Sequence, residues 1–249
     1  MSTQGPSDRT QVNAAVQALQ LRAWSHATTI RLARVKNDRE TGLNSASGVL
    51  LEFGTRAVIA TAWHVLEKYA RLRNDGHELY IVCDNMPIVE PRTAWRDPPN
   101  DIAFLDVPPK SRDGLEAVPY RPSPLIWPAP QVQAGDVVAV CGFPKIIRRD
   151  DDEIMHGDLN LLVSVARAGE FHFMLQIEIE RLVQVGETKI PETTTDFGGV
   201  SGGPVFLADN GANPLVGLVS ECGENLPLWR VAALHGAPVD IESRPSTPL

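Results

Sequence analysis

Ser201 stands in the run Gly198-Gly199-Val200-Ser201-Gly202-Gly203-Pro204. Glycines on both sides let a serine sit on a tight turn, with its Oγ exposed and the nearby backbone N–H groups converging on one point. Acyl transfer needs that geometry, because the nucleophile must lie beside donors for the developing oxyanion. A serine hydroxyl attacks only when a base takes its proton, and His64, in Ala60-Thr61-Ala62-Trp63-His64-Val65, is the candidate base. The imidazole in turn needs a group to fix its tautomer. Asp101, in Asn100-Asp101-Ile102-Ala103-Phe104-Leu105, is the candidate for that role. Taken singly, each segment has an ordinary explanation: a satisfied histidine, a turn aspartate, a glycine turn. The ordered set of three points to chemistry.

Gly199-Val200-Ser201-Gly202-Gly203 also fits G-x-S-x-G, the strand-to-helix elbow of α/β-hydrolases. Pro204 and the β-type run Val205-Phe206-Leu207 follow Ser201, where the elbow requires a helix. The acid and histidine of that class also follow the serine. Asp209 and His235 would have to serve, and nothing around them supports it. The chain order His, Asp, Ser belongs to a different arrangement. The three segments together resemble the signature segments of trypsin-like serine proteases: T-A-x-H, N-D-I-A and G-x-S-G-G-P. The resemblance covers about residues 28–235. It implies an all-β fold of two packed six-stranded antiparallel β-barrels, chymotrypsin-like. It implies a serine endopeptidase that hydrolyses peptide bonds through an acyl-enzyme, with His64, Asp101 and Ser201 as the catalytic triad. The N–H groups of Gly199 and Ser201 would form the oxyanion hole. Ser220, in Leu218-Val219-Ser220, matches the family serine on the strand that pairs with substrate, and is expected near Asp101. Neither a cofactor nor a metal is implied.

The chain departs from the family pattern at two places. Digestive members hold an Asp just before the catalytic Ser, which pairs with a newly cut N-terminus. Val200 stands there, so activation of that kind is not expected. The base of the primary specificity pocket falls at Thr195, with Asp196 one place out of register, so a preference for basic residues is left open. Val219 stands where glutamyl-specific members carry a His, which argues against a Glu preference. Glu221, on the substrate-pairing strand, is either a contact for a basic substrate residue or a solvated strand end.

Positioning these residues requires strands. Candidate strands are Thr28–Val35, Ser47–Phe53, Ala57–Thr61, Leu79–Cys83, Ile102–Val107, Asp136–Gly142, Leu161–Ala168, Phe171–Val185, Gly203–Leu207, Leu215–Ser220 and Leu228–Leu234. Phe171–Val185 alternates in part, with Phe173, Leu175, Ile177 and Ile179 facing one way and Gln176, Glu178 and Glu180 the other. A helix is expected after His64, over Val65–Leu72. Val12, Ala15, Val16, Leu19 and Ala23 recur at helical spacing, so residues 1–27 are read as a tail and an amphipathic helix. The proline-rich stretch Pro108–Pro130 is read as the boundary between two β halves of one peptidase domain, 28–235, and residues 236–249 as a C-terminal tail.

The formal net charge is −8, and no Lys/Arg-rich block is present, which disfavours nucleic acid and anionic membranes as partners. Three cysteines without a CxxC pair suggest neither a disulfide framework nor a zinc knuckle. No secretory signal is visible at the start, so a cytoplasmic location is the default expectation. The expected partner is a protein or peptide substrate. Two alternatives stand beside the active endopeptidase. One is a protease-fold binding module with little activity of its own. The other is a protease switched on by an activating partner in a stress or defence system.

Overall fold

The computed structural model describes residues 6–36, 39–144, 159–177, 197–209, 212–222 and 228–249. Pro6–His26 forms the N-terminal helix α1. In the first half, Ala27–Lys36 (β1), Arg39–Phe53 (β2), Arg56–Ala62 (β3), Tyr80–Cys83 (β4), Met86–Ile88 (β5), Arg92–Asp97 (β6) and Ile102–Asp106 (β7) form one antiparallel sheet in the order β6-β7-β3-β2-β1-β4-β5. Helix α2, Trp63–Asn74, follows β3 directly and buries Val65, Leu66 and Tyr69. Period-2 alternation in β2 and β3 serves two cores at once. Leu50, Ala57 and Ile59 face the core of the first half, with Leu66 and Ile81. Val49, Leu51, Val58 and Ala60 face the other way, into the core shared with the second half. Each such valine, leucine or isoleucine contributes about 1.5–3 kcal/mol on burial, so a one-residue slip of β2 would expose both sets to the wrong partner.

In the second half, Val137–Gly142 (β8), Leu159–Ala168 (β9), His172–Gln176 (β10), Pro204–Leu207 (β11), Leu215–Cys222 (β12) and Leu228–Ala233 (β13) close into a barrel, β10-β13-β12-β11-β8-β9. Phe173, Leu175 and Ile177 are buried as the alternation predicts, while Gln176 is exposed; the rest of the expected strand, 178–185, lies outside the described residues. Between the halves, helix α3 (Pro109–Arg112) opens an irregular connection. The connection is sewn to β2 where Tyr120 N–H donates to the Leu50 carbonyl at 2.8 Å and Glu52 N–H donates to the Tyr120 carbonyl at 2.9 Å.

Two expectations are modified. The second half is a closed six-stranded barrel, but the first half is a curled sheet that does not close among the described residues. A final strand, Thr247–Pro248 (β14), adds to β6 and makes the sheet eight-stranded. Its free edges are β14 and β5, and each carries a proline, Pro248 and Pro87, which has no N–H to donate across the gap. The segment 236–249 thus ends in a strand of the first sheet rather than as a detached tail. It is anchored by Arg56, whose guanidinium donates to both Asp106 carboxylate oxygens at 2.7 and 2.8 Å, to the Ile241 carbonyl at 2.6 Å and to Ser246 Oγ at 2.7 Å. β5, β6 and β14 were not expected from sequence, because they are short, polar or proline-bearing. In α1 the buried stripe among described side chains is Leu19 and Ala23, with Ala15 exposed. Among the described residues, no helix is long and apolar enough to cross a membrane.

Candidate active site

β3 and β7 are antiparallel neighbours, and their last matched pair is Ala62 with Ile102. Just past that pair, β3 turns into α2 and a 3-10 turn, Pro98–Asn100, leads into β7. His64 and Asp101 are thus brought together by sheet register alone. Asp101 has φ 58°, in the left-handed region that aspartate tolerates better than most residues. The turn before it is closed by Asn100 Nδ2 donating to Asp97 Oδ2 at 2.7 Å and by Asp101 N–H donating to the Pro98 carbonyl at 3.1 Å.

Ala62 caps α2 with no side-chain bond of its own, and Asp101 supplies what it lacks. The Asp101 carbonyl accepts from Trp63 N–H at 3.1 Å, and Oδ1 accepts from His64 N–H at 2.8 Å. Oδ2 lies 2.9 Å from His64 Nδ1 and accepts from the Ser220 hydroxyl at 2.7 Å. The carboxylate therefore satisfies a helix N-terminus, where a negative charge is favoured, and grips the imidazole from the same side. Burial pushes the Asp101 carboxyl up. The hydrogen bonds from the His64 ring, the Ser220 hydroxyl and the His64 N–H outweigh it and hold the group below its usual value. Ser220 reaches Asp101 from β12 because the β12–β13 register shifts between Val219 and Glu221. A bulge of this kind re-aims a side chain at a strand edge.

Ser201 sits on a turn where Gly199 has φ 106° and Gly202 has φ 84°. A side chain at Gly202 would collide with the Ser47 carbonyl and Thr61 Oγ1. The turn is tied to both halves: Ser47 N–H donates to the Ser201 carbonyl at 2.8 Å, and Gly202 N–H donates to the Val219 carbonyl at 2.6 Å. Among the described residues, the N–H groups of Gly199 and Ser201 donate no hydrogen bond. His64, Asp101, Ser201, Ser220 and Glu221 all line one cleft of about 890 Å³. Among the described residues, no hydrogen bond joins the His64 ring to Ser201 Oγ. Thr195 and Asp196 lie outside the described residues.

The cleft also holds groups that the sequence did not single out. Arg230, on β13 directly opposite Glu221, lines it. Arg230 Nη2 lies 2.9 Å from His172 Nε2. His172 stands within electrostatic reach of Asp101. Burial and the Arg230 charge lower its pKa, against the Asn100 carbonyl, Asp101 and Asp97. Its partners come from distant strands, so no local pattern announces it. Cys222 lines the cleft as well, but burial and the neighbouring Glu221 push its thiol up to about 12, which leaves it protonated and a poor nucleophile. Among the described residues, no group of three or more His, Cys, Asp or Glu is placed to hold a metal ion.

Against known proteins, a family model described as a trypsin-like peptidase domain matches residues 46–218. The matched span runs from β2 to the middle of β12 and includes His64, Asp101 and Ser201. The search of curated proteins finds no match.

Proposed function

We propose, from the premise that this chain belongs to the trypsin-like peptidase family, that it is a serine endopeptidase with His64, Asp101 and Ser201 as its triad. The observation that carries the reading is the double grip of Asp101 on His64, through the backbone N–H and through Nδ1, in a cleft shared with Ser201. With Nδ1–H donated to Asp101, the lone pair of Nε2 is left to act as base. Nε2 takes the Ser201 proton as Oγ attacks the scissile carbonyl, and Asp101 stabilises the imidazolium. The tetrahedral oxyanion falls to the N–H groups of Gly199 and Ser201, each worth about 3–4 kcal/mol in the transition state. Collapse expels the amine, protonated by His64, and leaves an acyl-Ser201 that water hydrolyses by the same steps reversed. The contact between His64 and Ser201 forms with substrate bound, as catalytic hydrogen bonds commonly tighten only then. The cleft face of β12, with Glu221, is the place for the substrate backbone. The three free cysteines suit a reducing, cytoplasmic setting.

The test is labelling of the purified chain with a fluorophosphonate, beside a peptide-library cleavage profile. The wild type labels at Ser201 and cleaves; Ser201→Ala does neither, losing about 10⁴-fold or more in kcat. A wild type that neither labels nor cleaves overturns the reading. The unjoined His64 and Ser201 favour a second reading, a protease completed by a partner protein. In that case the free chain labels slowly, and a binding partner raises the labelling rate.

A further inference from the structure

We infer that Ser47 is the positioning residue that holds the oxyanion turn in its working shape, an inference that rests on the serine-protease reading above. Ser47 lies on β2, in the opposite half of the molecule from the turn, and its side chain is fully buried. Its hydroxyl donates to the Gly199 carbonyl at 2.8 Å and accepts from Phe143 N–H at 2.9 Å. Its own N–H donates to the Ser201 carbonyl at 2.8 Å. Its carbonyl accepts from the Thr61 hydroxyl at 2.8 Å. One residue thus fastens the carbonyls at both ends of the Gly199–Ser201 turn and is itself fastened from β3.

Those two carbonyls matter because of the peptide planes beside them. The Ser201 N–H, one of the two assigned to the oxyanion, lies in the 200–201 plane, flanked by the 199–200 plane held through the Gly199 carbonyl and the 201–202 plane held through the Ser201 carbonyl. The Gly199 N–H, the other, lies in the 198–199 plane, which meets the held 199–200 plane at the Gly199 Cα. Turning either N–H away from the site therefore strains a plane that Ser47 holds by a hydrogen bond. Nothing at position 200 contributes a charge to this task, since Val200 is a buried apolar residue. The turn is also closely walled: a Cβ at Gly142 would meet Val200 at 2.8 Å and Ser47 Oγ at 3.1 Å. The Ser47 hydroxyl is therefore a side-chain link between the first half and the oxyanion turn, beside the backbone link from the Ser47 N–H, and it sets the turn without touching substrate.

The experiment compares wild type, Ser47→Ala, Ser47→Cys and Ser47→Thr on a peptide that the wild type cleaves, with a peptide aldehyde as probe of the oxyanion site. Thr93→Val, remote from the cleft, controls for general loss of stability. In Ser47→Ala, kcat falls about 10- to 100-fold, short of the 10²–10³ of a deleted oxyanion donor, while KM stays within about twofold. Aldehyde affinity falls in step with kcat, because its adduct also places an oxyanion in the hole. Ser47→Cys keeps the side chain's place with only a weak donor and shows the same kcat loss, which covers the case in which the alanine variant fails to fold. Ser47→Thr, which keeps the hydroxyl, recovers most of the activity. A kcat within twofold of wild type in whichever of the Ala and Cys variants folds overturns the inference, as does a loss matched by Thr93→Val. Absence of turnover in the wild type overturns the protease reading itself, and this inference with it.

Discussion

Replacing Asp101 by Asn removes one charge and almost no volume, and the hydrogen bonds around it dictate the result. The amide can be oriented in two ways. If its NH2 replaces Oδ1, it points at His64 N–H, a donor facing a donor at 2.8 Å. If its NH2 replaces Oδ2, every partner is satisfied: the amide oxygen accepts from His64 N–H, Ser220 Oγ turns to accept, and His64 Nδ1 accepts as well. The second orientation wins, but it forces the ring proton onto Nε2, the nitrogen that must receive the Ser201 proton. The expected cost is therefore in chemistry rather than folding. A wrong-tautomer histidine costs about 10⁴-fold in kcat, or about 5.5 kcal/mol. The α2 N-terminus keeps its acceptor, so unfolding free energy should move by only about 1 kcal/mol. The assay is kcat on a cleaved peptide at pH 7, with the fluorophosphonate labelling rate and a urea midpoint measured on the same samples. An Asn variant that labels and cleaves within tenfold of wild type refutes the tautomer argument. A variant that is inactive because it is unfolded refutes the claim that the capping acceptor survives.

Arg56→Ala removes the shared anchor of the C-terminal segment and strands the part-buried Asp106 carboxylate. It should cost about 3–5 kcal/mol in urea unfolding, with early proteolytic clipping after residue 236 and little recovery in Arg56→Lys, which lacks the planar fork. Stability should also fall on mild acidification. Burial lowers the pKa of His26, against the Val118 carbonyl that accepts from its ring, and burial with Arg230 lowers that of His172. A histidine with a depressed folded pKa contributes stability that is full above the unfolded value of about 6.5 and is lost as pH falls through the folded value. The melting temperature should drop from pH 7 towards pH 5, and His26→Gln should flatten that slope; an unchanged slope in His26→Gln counts against burial of the neutral ring.

Much of this was legible in the chain because the pieces that position the site are local. Thr61-Ala62-Trp63-His64 reads as a strand running into a helix, and Pro98-Pro99-Asn100-Asp101 reads as a turn into a strand. The structure places both where the β3–β7 register joins them. The glycines around Ser201 announce a turn with positive φ. What stayed hidden is whatever depends on meeting a distant strand. Ser47 is a small residue in an apolar strand, and nothing nearby distinguishes it from a core serine until Gly199 and Phe143 arrive from the other half. Arg230 and His172 are ordinary strand residues until β10 and β13 pair beside the Asn100–Asp101 turn. The C-terminal segment reads as a polar tail because its ties to Arg56 are mainly to backbone carbonyls, which every sequence has.

The division of labour between the halves gives the site its dependence on their interface. The first half supplies His64, Asp101 and Ser47; the second supplies Ser201, Gly199 and Ser220. Each half reaches across to hold the other's part: Ser220 donates to Asp101, and Ser47 donates to Gly199 and Ser201. A relative shift of 1 Å between the halves therefore disturbs the imidazole and the oxyanion turn together, since a hydrogen bond weakens steeply over that distance. Val49, Leu51, Val58 and Ala60, the β2 and β3 face turned towards the second half, are then more than stabilising contacts. They set the distance between His64 and Ser201, and any partner that pressed on this seam would act on both at once.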